Sequence, residues 1–141
     1  MSGTADDADD QRPAFRLGLR PDHVVQELGW DDDVDEALRT SVQDVTGSVM
    51  VDGEHGDVVD AVVLWWRDGD GDLVDALINA SVALAGGGTV WLLTPKVGRE
   101  GHVDPADIAD AAPTAGLSTT TNMSAADDWA ATRLVAPRAR R

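Results

Sequence analysis

The residues best suited to chemistry in this chain are Gly29-Trp30-Asp31-Asp32-Asp33, separated by three residues from the apolar pair Val24-Val25. A glycine behind a strand lets the backbone lie against a nucleoside or a diphosphate, because no side chain intervenes. Here a bulky indole and three carboxylates follow that glycine, so the approach is crowded and fixed negative charge opposes an anion. A second cluster, Asp68, Asp70 and Asp72, has the alternating carboxylates of a calcium loop. The sixth loop position is Leu73 instead of glycine and the twelfth is Asn79 instead of glutamate, so the spacing predicts a solvated turn and a helix cap. A third set, Trp30, Trp66, Arg67, Thr94 and Lys96, would gather at the C-terminal ends of parallel strands, where open α/β sheets place ligands. Indole faces beside two cations there form a candidate stacking pocket for a small anionic or aromatic molecule. The alternative for the indoles is structural: with five Trp, one Phe and no Tyr, Trp65, Trp66 and Trp91 must supply aromatic core volume.

Other catalytic patterns are missing. His23, His55 and His102 are far apart and stand in no metal-binding or general-base spacing. No serine sits in a G-x-S-x-G elbow and no G-x-x-x-x-G-K-[ST] loop occurs. Gly86-Gly87-Gly88 follows a predicted helix and precedes a predicted strand, which reads as a connector and not as a nucleotide fingerprint. The residues therefore predict no catalytic group, no metal site and no cofactor.

The elements that would hold these residues follow from hydrophobic period. After a strand at Val24-Val25, the apolar positions Val34, Leu38, Val42 and Val45 recur at helical spacing, with Gly47 as the stop. Residues 48–51 suggest a short second strand and residues 52–57 a turn. Residues 58–66 are almost continuously apolar, the pattern of a strand covered on both faces. Asp72 caps a helix carrying Leu73, Leu77 and Leu84, ended by the triple glycine, and residues 89–94 repeat the buried-strand pattern. Asp104, Pro105 and Asp107 open a short helix through Ala111. Residues 117–123 and 132–136 then read as a closing strand pair joined around residues 125–129, with Trp129 exposed.

Composition limits the functions available. The chain has 141 residues, 43% of them hydrophobic, a net charge of −15, and no cysteine, so disulfides and thiolate chemistry are excluded. Aspartate makes up 22 of the 26 acidic residues, which suits caps, turns and solvated faces. Such charge repels nucleic acid and anionic lipid, and favours a basic protein partner. The tail with Arg133, Arg138, Arg140 and Arg141 is the one basic segment. Residues 1–14 read as a disordered acidic leader, 15–136 as one domain and 137–141 as a basic tail. No segment has the length or polarity of a signal peptide or a bilayer span, so a soluble cytoplasmic protein without membrane association is expected.

The order of strands and helices, with Leu84-Ala85-Gly86-Gly87-Gly88-Thr89-Val90-Trp91-Leu92-Leu93-Thr94-Pro95 and Ala115-Gly116-Leu117, resembles a shortened Rossmann-like methyltransferase domain over residues 18–136. Leu19-Arg20-Pro21, Val24-Val25-Gln26-Glu27-Leu28-Gly29-Trp30, Leu64-Trp65-Trp66-Arg67, Trp91-Leu92-Leu93-Thr94-Pro95-Lys96 and Ala112-Pro113-Thr114-Ala115-Gly116-Leu117 are similar to a family of small acidic proteins from high-GC Gram-positive bacteria that share a domain of unknown function. That resemblance implies a fold and no activity. The methyltransferase likeness implies further small residues after Gly29, where Trp30 and the aspartates stand, and an acid after the second strand, for which Asp52 is the candidate.

The expectation is a single α/β, Rossmann-like domain with a mostly parallel sheet, working as a non-catalytic binding or regulatory protein. A reduced S-adenosylmethionine-dependent methyltransferase or other nucleotide-using transferase is the alternative, and an oligomerising module using Trp129 and the last strands is the third.

Overall fold

The computed structural model describes residues 17–136. The expected leader and the basic tail, including Arg138, Arg140 and Arg141, lie outside the described residues. Five strands form one sheet in the order β1-β2-β3-β5-β4: β1 (Val25–Leu28), β2 (Val59–Trp65), β3 (Leu84–Pro95), β4 (Ser118–Ser124) and β5 (Trp129–Val135). The pairs β1–β2 and β2–β3 are parallel, and β5 runs antiparallel to both β3 and β4. Four strands thus share one direction and β5 alone is reversed. Helix α1 (Glu36–Thr46) follows β1, α2 (Leu73–Ala80) follows β2 and α3 (Pro105–Thr114) follows β3.

Each helix starts where a short acid can take orphan N–H groups. The carboxylate of Asp35 accepts from Leu38 N–H at 2.8 Å, Asp72 from Asp75 N–H at 3.2 Å, and Asp104 from Ala106 N–H at 2.9 Å with Pro105 behind it. Helix α1 stops at Gly47, whose left-handed backbone lets its N–H reach the Gln43 carbonyl at 2.8 Å. Leu38, Val42 and Val45 of α1 cover one sheet face with Ala61, Val63, Trp65, Trp91, Leu93 and Trp129. Leu77 and Ala80 of α2 and Ile108 and Ala112 of α3 cover the other, against Val62, Leu64, Val90, Leu92 and Leu134. A sheet sandwiched this way needs apolar residues at odd and even positions alike, which explains the continuous run in β2. A register shift between Val59 and Ala61 sends Val59 to the opposite face from Ala61.

Four expectations are corrected. The helix through Leu84 ends at Ala80, because the Ser81 hydroxyl bonds the Leu77 and Ile78 carbonyls at 2.9 and 3.0 Å and the chain turns. The triple glycine lies inside β3 and is not a connector: Leu84 pairs with Val59, the next pair is Ala61 with Thr89, and residues 85–88 bulge between them. A Cβ on Gly88 would stand 2.8 Å from the Ala85 carbonyl oxygen, so the bulge closes this tightly over a glycine. Residues 48–51 make one isolated bridge, Gln26 with Val51, since Val49 is left in solvent. Trp129, expected to be exposed, is 3% exposed at the start of β5. Its period-2 place beside Ala131 turns it inward, against Trp65.

Candidate functional site

The C-terminal ends of β1, β2 and β3 meet at one edge of the sheet, and Arg67 occupies the junction. Its Nε donates to Asp33 Oδ2 at 2.9 Å and Nη2 donates to Asp33 Oδ1. Nη1 donates to the Gly29 carbonyl at 2.8 Å, to the Trp65 carbonyl at 3.3 Å and to Asp70 Oδ2 at 3.4 Å. The guanidinium carbon lies 5.3 Å from the centre of the Trp129 ring, whose own indole N–H donates to the Asp33 carbonyl at 3.3 Å. Burial alone would lower the Arg67 pKa, but the hydrogen bond to Asp33 and the charges of Asp33 and Asp70 outweigh it and the net shift is upward. Asp33 moves below the ordinary carboxylate value, chiefly through its hydrogen bond from Arg67.

Gly29 is fixed from the other side. Its φ is +77°, and a Cβ there would stand 2.2 Å from the Trp65 carbonyl oxygen. A glycine is required at this position by the crossing of two of the protein's own backbones. Behind it, Glu27 holds Arg39 through Nε at 2.7 Å and Nη2 at 2.8 Å, and accepts from the Trp65 indole at 2.9 Å. The bond to Glu27 is the main cause of a raised Arg39 pKa. The Trp65 and Trp129 rings meet edge to face at 4.9 Å, so a continuous chain of contacts links Arg39, Glu27, Trp65, Trp129, Arg67 and Asp33.

The five expected ligand residues divide between two clefts. Trp30, Trp66 and Arg67 line the first, of about 450 Å³, together with Asp31, Asp70 and Asn79. Thr94 and Lys96 line the second, of about 390 Å³, with His102, Asn122 and the apolar Val103 and Ile108. Lys96 N–H donates to the Asp128 carbonyl at 3.0 Å, which draws the chain toward β5, and Gly101 returns against the Arg67 stem and Pro95. The expected single pocket is therefore partitioned by the loop that follows β3. Trp30 is 54% exposed and Trp66 half-buried, whereas Trp65 and Trp91 are core residues.

A family model described as "Protein of unknown function (DUF3052)" matches residues 14–138. The chain belongs to that family. Among DUF3052 relatives, the uncharacterised protein Rv2239c of Mycobacterium tuberculosis (strain H37Rv) is 48% identical over 127 residues, spanning 90% of this chain and 80% of that protein. Mb2263c of Mycobacterium bovis matches over the same shares. Of solved structures, the magnesium protoporphyrin IX methyltransferase ChlM from Synechocystis PCC 6803, with bound SAM, has a TM-score of 0.54 at 14% identity and covers 95% of this chain and 78% of its own. The pyocyanin biosynthetic protein PhzM has a TM-score of 0.59 at 14% identity, over 94% and 56%. At such identity the likeness shows the fold, a methyltransferase-like α/β domain, and the fold alone.

Within this DUF3052 chain the aspartate clusters have structural duties. Asp70 Oδ2 accepts from the Arg67 backbone N–H at 3.0 Å, Asp72 caps α2, and Asp31 Oδ1 accepts from Asp32 N–H at 2.7 Å. The carbonyl of Asp52 accepts from the Gln26 side chain at 3.0 Å and its Oδ1 accepts from Glu54 N–H, so this residue closes its own turn. Among the described residues no three His, Asp or Glu side chains are grouped to hold a metal, and no helix is long and apolar enough to cross a membrane. Sequence reasoning did not single out Glu27, Arg39 or Asn122, and it set His102 aside because the histidines stand in no metal-binding or general-base spacing. Glu27 had a signal, since it shares the inward period of Val25, and a charge at such a position needs a partner.

Proposed function

We propose that this DUF3052 protein is a non-catalytic binding or regulatory protein built on a methyltransferase-like α/β domain. One observation carries the reading: the carbonyl and Cα of Gly29 are taken by the protein itself, the first by Arg67 and the second by the Trp65 carbonyl. A backbone engaged on both sides offers no surface for a nucleoside. The cation expected to serve a ligand is likewise engaged, through Asp33, Asp70 and two backbone carbonyls. What remains at the strand ends are clefts that bind and orient a ligand, with no nucleophile hydrogen-bonded to a base among the described residues. An acidic surface of net charge −15 suits a basic protein partner, to which such binding would be coupled.

Isothermal titration with S-adenosylmethionine, S-adenosylhomocysteine and common nucleotides tests the reading, with no saturable heat expected. Saturable micromolar binding would favour the second reading, a reduced methyltransferase, which rests on fold neighbours such as ChlM with bound SAM and PigF with SAH. With Trp129 buried, the third reading, an oligomerising module, rests on the last strands alone, and light scattering tests it. Capture of partners from cytosol at moderate salt, where acidic stickiness is screened, tests for a specific basic protein.

A further inference from the structure

We propose that the cleft between the end of β3, the loop after it and α3 binds a small organic monocarboxylate with an apolar body. This rests on the binding reading above and gives it a ligand class and a place. The chain carries 26 acidic residues against 11 basic ones, yet this cleft is lined by Lys96 and no carboxylate. Two other clefts show the opposite balance: Asp31 and Asp70 against Arg67 in one, Asp33, Glu100 and Asp128 against Arg99 in the other. In an acidic protein a cation is expected to find an internal partner. Arg39, Arg67 and Arg99 all do, while the Lys96 ammonium has none among the described residues.

Three further polar groups converge with Lys96. Thr94 is 4% exposed and its hydroxyl has no partner among the described residues, although no fully buried side-chain polar atom there is unsatisfied. The hydroxyl therefore reaches accessible space, and the cleft it lines is that space. His102 Nδ1 lies 2.9 Å from the Pro95 carbonyl, which can only accept, so Nδ1 donates there and Nε2, the acceptor in that tautomer, takes an N–H or O–H of a ligand and not its carboxylate. Asn122 spends one of its two amide N–H donors on Thr132 Oγ1 at 3.0 Å and keeps the other, together with its carbonyl. The rest of the lining, Val97, Val103, Pro105, Ile108 and Ala130, is apolar. A volume of about 390 Å³ is that of a small-molecule site. One ammonium compensates one negative charge, which favours a carboxylate over a phosphate dianion, and the apolar walls favour a hydrocarbon body over a bare ion.

The probes are 4-phenylbutyrate, the uncharged 4-phenylbutan-1-ol and the cationic 4-phenylbutylamine, each titrated into the labelled full chain and followed by amide chemical shifts. The carboxylate is expected to give saturable shifts at His102, Val103 and Asn122. The alcohol should bind about tenfold more weakly, the low end of what a charge-assisted hydrogen bond contributes, and the amine should give no saturable shift. Lys96→Met should weaken the carboxylate about tenfold, and Lys96→Arg should retain it. Equal binding of the alcohol, an unchanged K96M affinity, or no saturable shift up to the solubility limit would overturn the proposal. Shifts confined to Trp30 and Trp66 would also overturn it while leaving the binding reading intact, whereas methyl transfer from S-adenosylmethionine would remove that reading itself.

Discussion

Replacing Arg67 with methionine should lower global stability by about 3 kcal/mol, because the change keeps the stem and removes every guanidinium contact. The largest part comes from the exposed Gly29 carbonyl and the part-buried Trp65 carbonyl, which lose donors at 2.8 and 3.3 Å, about 1 kcal/mol each. The Asp33 pair adds about 0.5 kcal/mol, since that carboxylate is 49% exposed and solvent screens it. The Trp129 face contributes a similar amount through its contact with the cation. For a domain of this size the shift in thermal midpoint should be about 6–12 °C, read by circular dichroism and checked by urea unfolding. The acid limb supplies an independent test. Asp33 titrates below its unfolded value, so the pair stabilises fully above about pH 4 and its contribution is lost as pH falls through the lower folded value. Arg67→Met should therefore lose less stability than the parent between neutral pH and pH 3. A midpoint within 1 °C of the parent, with an unchanged acid limb, would refute the assignment of Arg67 as the internal ligand of this junction.

Gly29→Ala and Gly47→Ala share a positive φ but differ in surroundings, +77° against the Trp65 carbonyl and +83° with nothing within 4 Å. The first should cost more than about 3 kcal/mol and the second about 1 kcal/mol in urea unfolding; equal costs would contradict the backbone crossing. Glu27→Gln should cost about 2 kcal/mol, because Arg39 loses its charged partner while the Trp65 indole keeps an acceptor, and an unchanged urea midpoint would count against the network. Trp129→Ala should cost about 3–5 kcal/mol and leave the oligomeric state by light scattering unchanged; a shift in mass would restore Trp129 to the surface.

The parts of the fold legible in the sequence were those written in local chemistry. Asp72 and Asp104 announce helices because a short carboxylate reaches N–H groups two or three residues on, and Gly47 announces a stop because only its backbone turns left at no cost. Val59–Trp65 was legible because a strand covered twice has no polar face to confuse the period. Leu84 was misplaced because Leu73, Leu77 and Leu84 stand four and seven residues apart, which fits helical spacing; the competing signal was Ser81, whose hydroxyl bonds the last helical carbonyls. The site was harder. Arg67 and Asp33 are separated by 34 residues and Glu27 and Trp65 by 38, and no spacing rule joins residues across a whole crossover. The grouping of Trp66 with Thr94 followed strand adjacency correctly, and failed because the loop 98–102 folds back between them.

The double engagement of Gly29 closes a route as well as a surface. Substituting small residues for Trp30 and Asp33, one at a time, would leave the half-buried guanidinium with only the longer contact to Asp70, and removing Arg67 first would leave two backbone carbonyls short of a donor. Either single change weakens the molecule before any new cofactor could compensate. A lineage that has set this bolt can regain a nucleotide seat only by drawing it and rebuilding the loop in the same stroke.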